Sequence, residues 1–222
     1  MQESTISATN LNSPDAGASR SLLRTFAAGV SAVFSPPLLT TVMLAILGFM
    51  LNSRAAWLWL ASYAIVSTLV PSLMIVWMVR RGTVSDFHMR NRDERSRPLF
   101  VIFLLSSILC LVFYFGGAPR VITALAAGAC FQALVMWLVT TKWKISGHSA
   151  GAASFLAILI ALDGSLALPA ILLLGLVIWA RVLRSRHTLL QTVAGTALGF
   201  FSIWVPLQIL EPFCSGHVLA CF

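Results

Sequence analysis

The chain has 222 residues, of which 59% are hydrophobic and only 10% charged, with a net charge of +8 and a mean hydropathy of +0.91. That balance excludes a water-soluble globular domain of this length. Apolar runs long enough to cross a bilayer recur along it, so the expected fold is all-α: a polytopic transmembrane helix bundle of six or seven spans in a cell (inner) membrane.

In chain order, residues 1–20 are rich in Ser, Thr, Asn and Ala and read as a disordered N-terminal tail. Its first charges, Glu3 and Asp15, are acidic, unlike the basic start of a secretory signal. Residues 21–222 form one membrane domain. The first apolar region, Thr25 to Leu51, is interrupted by Ser35-Pro36-Pro37, giving either one kinked span or a surface helix followed by a crossing. A second span runs from Ala55 to Val79 with Pro71 as a tolerated kink, and a polar loop follows from Arg80 to Pro98. The third span is Leu99 to Phe115, and Gly116-Gly117-Ala118-Pro119 turns the chain. The fourth, Val121 to Thr141, ends at Lys142-Trp143-Lys144, an interfacial aromatic between snorkelling lysines. A short fifth span of small residues, Ser149 to Leu162, turns at Asp163-Gly164-Ser165 into a sixth, Leu166 to Val182, and the last runs from Thr188 to about Leu210.

Four cysteines make no framework: Cys110 and Cys130 lie inside apolar spans, and Cys214 and Cys221 could pair only in an oxidising compartment. With no C-x-x-C and no histidine–cysteine cluster, neither a metal nor another cofactor is expected. Nucleic acid is not an expected partner, because the chain lacks an aromatic–basic platform, and the oligomeric state is not legible.

Each pair of spans returns the chain to the face it left. The loops 80–98, 142–148 and 181–187 therefore share one membrane face, with the turns near Arg54, Gly117 and Gly164 on the other. All of the 15 Lys and Arg residues except Arg54 and Arg120 fall on the face of the three loops, which the positive-inside rule makes cytoplasmic. Taken singly, each cluster has an ordinary reading. The basic loop fixes topology or binds headgroups, His148 and His187 are helix-entry residues, and Gly147, Gly151 and Ser154 are a close-packing face. Taken together, arginines supply forks of donors for phosphate oxygens, and histidines can attack phosphorus or protonate a leaving oxygen. The Ser146-Gly147 step can present backbone N–H groups to an anion.

Three motifs carry the resemblance: Arg90-x6-Arg97-Pro98, then Ile145-Ser146-Gly147-His148, then Ala180-Arg181-x5-His187-x3-Gln191. In order and spacing they resemble the type 2 phosphatidic acid phosphatases, whose signature is Lys-x6-Arg-Pro, Pro-Ser-Gly-His and Ser-Arg-x5-His-x3-Asp. The resemblance covers residues from about 86 to 199. It implies that His187 is the nucleophile and that His148 protonates the leaving group. Arg90, Arg97, Arg181, Ser146 and Gly147 would hold the phosphoryl oxygens. The implied activity is metal-independent hydrolysis of a lipid phosphate or polyprenyl pyrophosphate at the bilayer surface, and the resembled family usually works on the outer or lumenal face.

Arg90, Ile145 and Ala180 replace a lysine, a proline and a serine of the signature, and Gln191 replaces the aspartate that would orient and charge-balance His187. Asp86 or Asp93 is the alternative source of that negative charge. A catalytically silent member that binds anionic lipid or a partner protein is the second reading, and a phosphotransferase is a third. The triplet recurs at Ser215-Gly216-His217 without an arginine–histidine partner after it and carries no weight.

Overall fold

Apolar runs broken by glycine, proline and short polar loops can satisfy their backbone groups inside a bilayer only as helices. The computed structural model describes residues 14–210 apart from 88 and 90, with side chains from 21 to 209. Arg90, Cys214, Cys221 and the Ser215-Gly216-His217 triplet lie outside the described residues. Among those described, all regular structure is helical: α1 Pro14–Val33, α2 Pro36–Leu51, α3 Arg54–Arg80, α4 Ser96–Gly116, α5 Arg120–Thr140, α6 Gly147–Leu162, α7 Ala167–Leu183 and α8 Leu189–Leu210. The segment read as an N-terminal tail is thus helical from Pro14 onward.

Five of these helices are long and apolar enough to cross a membrane, and the pair Ser21–Val33 and Pro36–Leu51, bent by 45°, is a sixth if it is one span. The bend falls at Ser35, which is extended, with Pro36 opening the next helix. Before the bend α1 leans on α7, where Ala27 and Val30 pack with Ala180 and the Phe26 and Trp179 rings lie 6.0 Å apart. The short apolar helix α6 has 16 residues and is enclosed by its neighbours, burying Ala150, Ala153, Ala157 and Ile158 completely. Large apolar side chains such as Leu58, Leu73, Phe115, Leu172 and Ile209 point outward, as a lipid-facing surface requires.

Pro71 causes no sharp break in α3. Its ring would collide with the carbonyl four residues back, and the wider π-helical turn Ile65–Leu69 just before it absorbs the mismatch. The turn also presents Ser67 and Thr68 to the bundle interior.

The tightest approach joins α6 to α8. A Cβ built on Gly195 would stand 2.5 Å from the Ser146 carbonyl oxygen, and one on Gly199 would collide with the Ala150 carbonyl. This is a small-x3-small contact between two backbones. Gly128 of α5 meets the Ser202 carbonyl of α8 in the same way.

A methyl group at Gly195 has backbone rather than a flexible side chain to displace. Gly195→Ala should therefore cost on the order of 1–3 kcal/mol in detergent unfolding. Gly175→Ala, where a Cβ has nothing within 4 Å, should leave stability unchanged or raise it by up to about 1 kcal/mol through helix propensity.

Candidate functional site

The three polar loops meet at one end of the bundle. The Arg92 guanidinium donates to the Lys142 carbonyl at 3.0 Å, tying the first loop to the second. The Ser146 N–H donates to the Gln191 carbonyl at 3.2 Å, tying the second to the third. Inside the first loop, the Glu94 carboxylate accepts from the N–H and the hydroxyl of Ser85 at 2.7 and 2.8 Å, which holds its pKa below the usual carboxylate value.

His187 is 6% exposed and is oriented by the start of α8. Thr188 and Gln191 form a reciprocal capping pair. The Thr188 hydroxyl accepts from the Gln191 N–H at 3.3 Å, and Gln191 Oε1 accepts from the Thr188 N–H at 3.2 Å. The same Oε1 lies 3.2 Å from His187 Nδ1. A backbone N–H can only donate, so the atom facing it is the amide oxygen. His187 must then carry its proton on Nδ1, which leaves the Nε2 lone pair free.

Charge around the imidazole reinforces that state. Burial first, then Arg181, Lys144 and Arg95, push the His187 pKa down to about 3, against a small upward pull from Gln191. Every charge that shifts it is positive. Asp93 is exposed and pairs with Arg92 at 3.2 Å, and Asp86 acts on Arg95 and Lys144. Neither carboxylate is among the groups that shift His187.

Arg181 is 5% exposed, makes no ion pair, and its Nε has no hydrogen-bond partner among the described residues. An uncompensated buried cation is costly, and an anionic ligand removes that cost. Arg95, 8% exposed, joins it, with Nε donating to the Met89 carbonyl at 2.7 Å. Lys144 completes the group, and its pKa is lowered by partial burial and then by Arg95, Arg181 and Arg186.

Arg97 is exposed and stands apart from this group. Helical register explains the exchange. Arg95, Leu99, Ile102 and Ser106 recur every three to four residues along one face of α4 and its entry, and Arg97 points to the opposite side. Of the two arginines, Arg95 lines the cavity and the motif residue Arg97 does not. The apolar period downstream of Arg95 was the available signal.

Ser146 is wholly buried and serves as the N-cap of α6, accepting from the Ser149 N–H at 3.3 Å and from its hydroxyl at 3.0 Å. Gly147 and His148, the first residues of α6, line a cavity of about 340 Å³ together with Arg95, Arg181 and His187. The cavity continues between α2, α3, α4, α5 and α6, walled by Met43, Ile75, Leu99, Ile102, Met136 and Phe155. It thus has a cationic mouth and an apolar interior.

Because the folded state holds His187 neutral, the unfolded chain takes up a proton near the ordinary value of 6.5 that the folded protein refuses until about 3. Stability from this group is complete above 6.5 and is lost as pH falls through that window. Thermal unfolding in detergent should show the loss in the wild type, with a shallower slope in His187→Asn.

Scanned against known protein-family models, curated proteins and solved structures, the chain matches none.

Proposed function

We propose that the chain is a metal-independent membrane phosphatase that hydrolyses a lipid phosphate or a polyprenyl pyrophosphate through a phosphohistidine. The observation that carries this reading is a buried Arg181, without an ion pair among the described residues, beside an imidazole whose Nε2 lone pair is free, at the mouth of a cavity with apolar walls. The phosphoryl oxygens rest on Arg95, Lys144, Arg181 and the Gly147 N–H at the helix start. His187 Nε2 attacks phosphorus while the bond to the leaving oxygen breaks, and His148 gives that oxygen a proton. Water then attacks the phosphohistidine, His148 takes its proton back, and phosphate leaves with the Nε2 lone pair restored on His187. The hydrophobic part of the substrate stays between the helices. Following the charge distribution, we place this face in the cytoplasm.

The neutral Gln191 favours a second reading, a catalytically weak or silent protein that binds anionic lipid. It orients the imidazole but cannot balance the positive charge that phosphoryl transfer places there, and loss of such a carboxylate costs orders of magnitude in rate.

Phosphate release from lipid phosphates and pyrophosphates in detergent tests both. His187→Ala should abolish release. Gln191→Glu keeps an acceptor for Thr188 and adds charge, so it should raise both kcat and the pH of the acid limb. Wild-type silence with activity only in Gln191→Glu would establish the binding reading. Arg95→Ala should lose on the order of 10²-fold in kcat/KM, and Arg97→Ala should stay within about twofold of wild type, as an exposed surface substitution does. The reverse order would restore Arg97 as the phosphate ligand.

A further inference from the structure

The interior of the cavity is not uniformly apolar. Gln132 of α5 and Ser106 of α4 line it at membrane depth, and Ser154 of α6 stands beside them. From the helix ends at the mouth, the rise of 1.5 Å per residue puts these groups roughly 10–16 Å below the phosphate site. Polar side chains at that depth are expensive, and when they face a cavity they mark a ligand or ion path.

Two of them are built to offer hydrogen bonds inward. One end of the Gln132 amide is fixed by the hydroxyls of Ser154, at 2.9 Å, and of Ser202, at 3.1 Å. Each hydroxyl has one proton, shared between that end of the amide and an α8 carbonyl, that of Gly199 at 3.0 Å for Ser154 and that of Leu198 for Ser202. The other end of the amide has no hydrogen-bond partner among the described residues, although Gln132 is a wall of the cavity. Ser106 is 5% exposed, also lines the cavity, and has no partner there either. A bundle that needed only an apolar slot would place leucine or alanine at both positions.

We propose that Gln132 and Ser106 form an intramembrane subsite for a hydrogen-bonding oxygen or nitrogen on the buried part of the ligand, about 10 Å or more from its phosphorus. The ligand class is then a lipid phosphate with an ester, amide or hydroxyl at that depth, in preference to an unbroken hydrocarbon or prenyl chain. This rests on the phosphatase reading for the position of the phosphate. The discrimination follows from the same physics that governs polar recognition elsewhere. A buried amide left unpaired against bare hydrocarbon loses a hydrogen bond that a matching ligand supplies.

Two probes separate the outcomes: octadecyl phosphate, and the same chain with one hydroxyl at the eighth carbon, roughly 10 Å from phosphorus in an extended chain. The expected result is that the wild type prefers the hydroxylated lipid at least tenfold in kcat/KM. Ser106→Ala, which removes a hydroxyl with no protein partner and so leaves the packing intact, should cut that preference several-fold. Gln132→Leu should bring it near unity. Because Gln132 also ties α6 to α8, the serine variant decides the matter if the leucine variant fails to fold. Equal use of the two lipids by the wild type, or a preference unchanged in Ser106→Ala, overturns the subsite and leaves the phosphatase standing. If neither lipid releases phosphate, the preference is read instead from the thermal shift each lipid produces, and the phosphatase reading is judged by the wider panel of lipid phosphates and pyrophosphates. A larger shift with the hydroxylated lipid, lost in Ser106→Ala, supports the subsite, and equal shifts refute it.

Discussion

Everything at the mouth of the bundle depends on two backbones touching. Gly195 and Gly199 let α8 lie against the start of α6 with no side chain between them. At that distance the Ser146 N–H reaches the Gln191 carbonyl, so the helix start that carries His148 is tied to the helix start that orients His187. Without water or a hydrophobic drive between helices in lipid, such close contacts and interhelical hydrogen bonds are what hold a site together. A bulkier residue at Gly195 would part the two histidines before it unfolded the protein.

Gln191 concentrates three duties in one residue. Its carbonyl holds the second loop, its side-chain oxygen caps α8, and the same oxygen fixes the tautomer of His187. A neutral amide does the first two as well as a carboxylate would, and it accepts the Nδ1 proton too. What it gives up is compensation for charge, in a pocket where Arg95, Lys144 and Arg181 already press the imidazole toward its neutral form. If His187 is the nucleophile of the proposed phosphatase, neutrality suits it before attack and opposes the charge that would build during it. An incoming phosphate, itself anionic, relieves that opposition by meeting the cations first.

Composition and periodicity were enough to read the helical class, the order of the helices and the meeting of three loops on one face, because hydrophobic length and span parity depend only on local sequence. The pairing of Thr188 with Gln191 was also open to reading, since T-x-x-Q at a helix start is a capping signature. That Arg95 rather than Arg97 turns toward the cavity was harder to read. A motif anchored on Pro98 sets the spacing, but the face that turns inward is set by Leu99, Ile102 and Ser106 further along. The π turn before Pro71 and the deep polar wall could not be read at all. Gln132, Ser154 and Ser202 come from three helices and mean nothing until those helices pack.

In the proposed phosphatase the free Nε2 of His187 carries the phosphoryl group. Rapid quench of the purified protein with a lipid phosphate labelled at phosphorus, followed by peptide mapping, tests it most directly. The expected result is a label on His187 that resists alkali and is lost in acid, as a phosphoramidate is, and that builds up further when Gln191 is kept than in Gln191→Glu. Turnover without any label on His187, or a label that survives in His187→Ala, would contradict it.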